Sequence, residues 1–86
     1  MKSPSAPQLK LLEAIESYQQ QHRYAPTVRE MQEQAGYATP SAAHFHILRM
    51  RTAGLVDWVE GQNRTLHVTQ AGRRELRLAH VRRTAA

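Results

Sequence analysis

Two sets of residues in this chain have types and spacings that can do chemistry: a block of arginines and one helical run of small, aromatic and imidazole side chains. Residues 37–86 hold eight arginines (49, 51, 64, 73, 74, 77, 82 and 83) against Asp57, Glu60 and Glu75, whereas residues 1–36 hold four basic and four acidic side chains. The net charge of +5 therefore arises entirely in the second part. A guanidinium fork offers phosphate two parallel hydrogen bonds, and a basic half of a small domain is the electrostatic footprint expected for nucleic acid. Charge alone fits a solubilising surface or an acidic partner equally well. The histidines do not form a metal site, because His44 and His46 lie about 160° apart around a helix and no carboxylate pattern accompanies them. No Ser/His/Asp or Ser/Lys arrangement supplies a nucleophile with a base held by a third group. The expectation is a protein that is not an enzyme and uses no cofactor or metal, with no small-molecule ligand evident.

The helical run is residues 40–53. At 100° per residue Ala43, Ile47 and Met50 fall within about 40° of one another and form a buried face, with His46 at its border. Ser41, Phe45, Leu48 and Thr52 fall on the other side, flanked by His44 and Arg51. In a DNA major groove, Ser and His can hydrogen-bond base edges, while Ala42 and Phe45 can meet thymine methyl groups. Leu48 fits packing or a dimer contact better than base reading. The competing reading for the outward Phe45 and Leu48 is a protein contact.

Start and stop signals set the elements that must position this run. Ser5-Ala6-Pro7-Gln8 is a capping box opening a helix over about 6–22, and Pro26 disfavours helix at Ala25. Thr27-Val28-Arg29-Glu30 is a second box, opening a short helix that ends before Gly36. Thr39 then caps the third helix with Pro40 at its first position, and Gly54 ends it. Two helices joined by a short glycine-containing turn make a helix-turn-helix unit. Leu55–Val59 and Thr65–Val68 are β-rich around the turn residues 60–64, which predicts a hairpin wing. Thr69 caps a fourth helix over about 70–80. The order is that of a winged helix-turn-helix: mainly α with a small β-hairpin, three helices plus wing plus a C-terminal helix. The whole of 1–86 is expected to be one domain, with its core in 5–68 and one modest hydrophobic centre. With no cysteine, no apolar run near ~18 residues and no signal-peptide pattern, a soluble, cytoplasmic protein is expected, nucleoid-associated when bound.

Tyr24-x-Pro-Thr-x-Arg-Glu-Met31, Ala-Gly-Tyr37, Thr-Pro-Ser-Ala-Ala43, Ala-Gly-Leu-Val56 and then Gly61, Arg64, Leu66 and Val68 occur in unbroken order. This series resembles the N-terminal DNA-binding domain of the LexA repressor family. The last segment, Val68 to Leu76, is similar to the hairpin-to-helix junction of MarR-type regulators. The resemblance implies a sequence-specific, double-stranded DNA-binding transcriptional regulator, most naturally a repressor. It implies base contacts at Thr39, Ser41, Ala42, His44 and Phe45. Family members place an amide and two carboxylates where this chain has Ser41, His44 and Phe45, so a different operator is expected. Arg23 stands where these domains usually have glycine. The competing function is a winged-helix protein–protein interaction module.

Backbone N–H groups at Thr27 and Thr39 are free to meet phosphate at two helix N-termini. Arg29 and Arg51 are candidate phosphate contacts, and Gln62, Asn63 and Arg64 at the wing tip are candidates for backbone or minor groove. Glu60 is expected to point away from DNA, and Trp58 to join the core. The family's self-cleaving domain, with its Ser–Lys pair and its usual route to a dimer, is expected to be absent. A homodimer is then expected through the fourth helix. There Gly72, Leu76 and Ala79 form one stripe and Ala71, Leu78 and Val81 a second, opposite one.

Overall fold

The computed structural model describes residues 4–84, with the backbone alone at 83 and 84. Its elements run α1 (Ala6–His22), α2 (Val28–Ala35), α3 (Pro40–Thr52), β1 (Val56–Asp57), β2 (His67–Val68) and α4 (Gln70–Thr84). Each helix starts where its cap requires. Ser5 Oγ accepts the Gln8 N–H at 3.4 Å while the Gln8 side chain accepts the Ser5 N–H at 3.1 Å. Thr27 and Glu30 repeat this reciprocal arrangement at 3.2 and 2.8 Å, and Thr39 Oγ1 accepts the Ala42 N–H at 3.2 Å. These contacts satisfy N–H groups that a helix start leaves unpaired.

The stops are left-handed residues. Gly36 (φ +77°) ends α2, and Tyr37 N–H closes back on Gln32 O at 3.0 Å. Arg23 ends α1 at φ +62°, donating its N–H to Gln19 O at 2.8 Å. That conformation explains why glycine is the usual residue there: a side chain in the left-handed region crowds the backbone, and glycine has none.

Leu11, Leu12 and Ile15 of α1, Met31 of α2, Ile47 and Met50 of α3, Val56 of β1 and Val68 of β2 are all buried in one cluster. Ala43 joins them in burial, so the face expected on the third helix is the face that packs. Removing such side chains from water stabilises by ~1.5–3 kcal/mol each, which suffices to hold a domain of this size. Trp58 is half-buried and packs against the edge of this cluster rather than within it.

Two elements differ in extent from expectation. The hairpin is reduced to two antiparallel pairs, Val56 with Val68 and Asp57 with His67. Beyond them side chains replace the ladder: Trp58 N–H donates to Asp57 Oδ1 at 2.8 Å and Val59 N–H to Thr65 Oγ1 at 2.8 Å. The fourth helix runs four residues past the expected end, to Thr84, because nothing from 81 onward is a glycine or proline that would stop it. It packs against α1 and β2, whereas α3 packs against α2, β1 and α1. Contact is close at Gly72, where a Cβ would overlap Leu55 O and lie 2.6 Å from Val68 Cγ1. Thr69 caps α4, accepting the Gly72 N–H at 3.1 Å while its hydroxyl donates to Gly54 O at 2.6 Å.

Candidate nucleic-acid interface

The start of α3 presents Thr39, Ser41, His44 and Phe45 to solvent, with Ala42 half-buried behind them. No acidic residue lies in the first turn of this helix, so its N-terminal dipole is left for an incoming anion. Phe45 is 54% exposed and Leu48 42%, an apolar strip beside the polar readers. Arg49 lies over the Phe45 ring, its Cζ 5.4 Å from the centroid. Sequence reasoning passed over Arg49; the signal was its position four residues after an outward aromatic, where a helix brings two side chains together.

Between α3 and the wing lies a cleft of about 180 Å³, walled by Pro26, Val28, Ile47 and Leu66 below and by His44, Gln62 and Arg64 at the rim. Gln62 and Asn63 are exposed at the wing tip, and Arg29 is exposed on α2. Of the expected readers on α3, His44 alone lines this cleft with the wing tip, while Ser41 and Phe45 flank a separate shallow depression with Pro40 and Leu48.

Three expected phosphate contacts have partners within the domain. Arg51 is engaged within the domain: its Nε pairs with Asp57 Oδ1 at 3.0 Å, Nη1 with Glu60 Oε1 at 2.6 Å, and Nη2 donates to Trp58 O at 2.9 Å. The guanidinium lies over the Trp58 ring at 3.9 Å, and Trp58 Nε1 donates to the same Glu60 oxygen at 3.1 Å. Glu60, read as pointing away from DNA, is thus an anchor of the wing's first leg. The Arg51 pairing holds the Asp57 and Glu60 carboxyls below their usual range, with the Trp58 N–H the larger cause for Asp57.

Arg64 is engaged as well. Its Nη1 donates to Glu30 Oε1 at 3.0 Å and to Ala25 O at 3.1 Å, its Nη2 approaches Glu30 Oε2 at 3.4 Å, and it lies over Tyr24 at 4.6 Å. Glu30 also accepts the Tyr18 hydroxyl at 2.6 Å. These donors, Tyr18 first and then the Thr27 N–H, hold the Glu30 carboxyl down at about 2, and the same hydrogen bond pushes Tyr18 up to about 12. Thr27 is affected too, because the Glu30 carboxylate already occupies the N-terminus of α2 that a phosphate would seek. Neither Glu30 nor Tyr18 was expected at the site. The capping box announced Glu30's local role, but nothing in the chain announces a partner 34 positions later.

On α4, Gly72 and Ala79 are buried against the domain, while Ala71, Leu78 (43%) and Val81 (58%) are exposed. Both stripes lie where the helical wheel puts them. Among the described residues no group of His, Cys, Asp or Glu is arranged to hold a metal ion, and no helix is long and apolar enough to cross a membrane.

Comparison with known proteins bears on the whole arrangement. Residues 1–65 match the LexA DNA binding domain family. The chain is 36% identical over 58 residues to the LexA repressor of Desulfatibacillum aliphaticivorans, covering 67% of this chain and 29% of that protein. It is 31% identical over 61 residues to the transcription regulator LexA of Synechocystis sp., covering 71% and 30%. With the LexA repressor of Oenococcus oeni it shares 36% over 69 residues, covering 80% and 32%. The match thus spans about 30% of the length of these relatives. The helix-turn-helix, its caps and the wing all lie within or at the edge of the matched segment, and the chain belongs to the LexA DNA-binding domain family.

Proposed function

We propose that this chain is a sequence-specific, double-stranded DNA-binding regulator, acting as a repressor in the cytoplasm on nucleoid DNA. The observation that carries this is the outward start of α3: Ser41, His44 and Phe45 stand exposed, at an acid-free helix N-terminus, beside a wing. Thr39, Ser41, Ala42, His44 and Phe45 read bases, and the backbone N–H groups after Thr39, with Arg29, Arg49, Gln62 and Asn63, hold phosphate. Because Ser41, His44 and Phe45 replace the amide and carboxylates of family members, the preferred site differs from a LexA-type operator. Carboxylates accept from cytosine N4, and neither serine nor phenylalanine reproduces that pairing.

One small module discriminates poorly, so a two-fold site read by a homodimer follows. Ala71, Leu78 and Val81 on the outward side of α4 join the copies.

Selection from a random duplex pool at moderate salt tests the reading. An enriched, two-fold site bound with a steep salt dependence is the expected result. Exposure of Phe45 and Leu48 favours a second reading, a protein-interaction module on the same helix face. No duplex enrichment, with any partner binding insensitive to salt, would leave that reading standing in place of the first.

A further inference from the structure

The wing tip contains an arginine whose backbone and side chain make opposite demands. Arg64 is one of two non-glycine residues with positive φ among the described residues, at +58°. Glycine or asparagine takes that conformation more easily, and the chain has Gly61 and Asn63 within three positions. The residue that nevertheless occupies it is the one whose side chain reaches back to α2.

The seat it reaches is rigid. The Glu30 carboxylate is fixed by the Thr27 N–H at 2.8 Å and by the hydroxyl of buried Tyr18 at 2.6 Å before Arg64 arrives. Arg64 then bridges both carboxylate oxygens, takes the Ala25 carbonyl as well, and lies on the Tyr24 ring. Nη1 has two partners and Nη2 one, all on or beside α2, and a compact ammonium could not reproduce the set. Arg64 lines the cleft between α3 and the wing, and its pair with Glu30 ties the wing to α2, which packs on α3, so the pair bears on how far the wing stands from α3.

We propose, resting on the DNA-binding reading above, that Arg64 is a positioning residue: its pairing with Glu30 latches the wing to α2 and sets the geometry of the reading face, and Arg64 does not itself hold a phosphate. The two roles predict opposite signs for Glu30. A seat for the latch helps binding; an acidic competitor for a phosphate-binding arginine hinders it.

The experiment uses the full chain and the duplex enriched in the selection above, over about 50 to 200 mM salt. Variants are E30Q, R64Q, the double E30Q/R64Q, and R64G, whose backbone suits the left-handed turn and so folds without strain. Each single variant is expected to weaken binding about tenfold, the double no further than the weaker single, and the slope of log affinity against log salt to stay as in the wild type. A slope shallower by about one in R64Q or R64G, or tighter binding by E30Q, would overturn the latch. So would unchanged affinity in R64G. Should E30Q loosen α2 through its cap, R64G alone decides, because it leaves that cap intact. Amide hydrogen exchange gives a readout independent of DNA. With the latch, the Val59 N–H held by Thr65 exchanges faster in R64G than in wild type; equal rates reject it. A wild type that binds no duplex while R64G still speeds that exchange rejects the DNA-binding reading and keeps the latch.

Discussion

The two walls of the cleft are built on different principles. On α3 the outward side chains of Ser41 and His44 make no hydrogen bond among the described residues, while the legs of the wing below its Gln62-Asn63 tip have polar side chains with internal partners. Asp57, Glu60, Arg64 and Thr65 are all engaged, with Arg51 from the end of α3 tying in the first leg and Glu30 the second. One wall is a display and the other a framework. A short hairpin with two ladder pairs has little rigidity of its own, since an isolated two-stranded hairpin is marginal in water. The side-chain brackets supply what the ladder lacks. Charge alone therefore does not tell contact from framework here: the wing arginine has a carboxylate partner within the domain, and the display side carries mostly neutral groups.

The largest effect expected falls on the framework from behind. Gly72→Ala drives a methyl into Leu55 O and Val68 Cγ1, so α4 must shift off β2. Thermal and denaturant unfolding should show a loss of ~1–3 kcal/mol, with duplex affinity falling alongside. A stability near wild type would mean that the wing does not depend on α4. On the display side, His44→Ala should cost ~1–3 kcal/mol of discrimination at one or two base positions while leaving the unfolding midpoint where it was. A change in stability but none in base preference would erase the distinction between the walls.

Acid should weaken the framework. The folded Glu30 carboxyl titrates at about 2 against an ordinary 4.5, so its contribution to stability is complete above 4.5 and is lost as pH falls towards 2. Asp57 and Glu60 are lowered as well and add to the same limb. Circular dichroism across this range should show stability falling with pH, and E30Q should flatten the curve. At the other extreme, Tyr18 is held protonated up to about 12, so stability should decline as pH rises through 10 to 12. The smallest effect is a gain: Arg23→Gly relieves a left-handed side chain at the end of α1, away from both walls, and should add up to ~1 kcal/mol. No gain would show that Arg23 makes a compensating contact.

Local signals made most of the fold legible. Ser5, Thr27 and Thr39 each open a helix because a cap needs only residues three apart, and Gly36 closes one for the same reason. The packed face of α3 was legible because 3.6-residue periodicity sorts Ala43, Ile47 and Met50 from Ser41 and Phe45. The end of α4 was not, because no stop residue marks it. The engagement of Arg51 and Arg64 was hidden for a different reason. Their carboxylate partners lie six to thirty-four positions away on other elements, and a count of charges cannot distinguish an arginine that meets a carboxylate from one that meets solvent.

Glu30 serves two masters at once: its carboxylate closes the first turn of α2 and receives the wing. In engineering terms the hairpin is not an exchangeable cassette. A wing transplanted from a relative without an arginine at position 64 would leave the Glu30 carboxylate without the Arg64 donors and the Tyr24 ring without its cation. Conversely, a change at residue 30 made to redesign α2 would release a hairpin that it never touches in sequence. An exchange of the wing into this chain has to keep residues 30 and 64 matched.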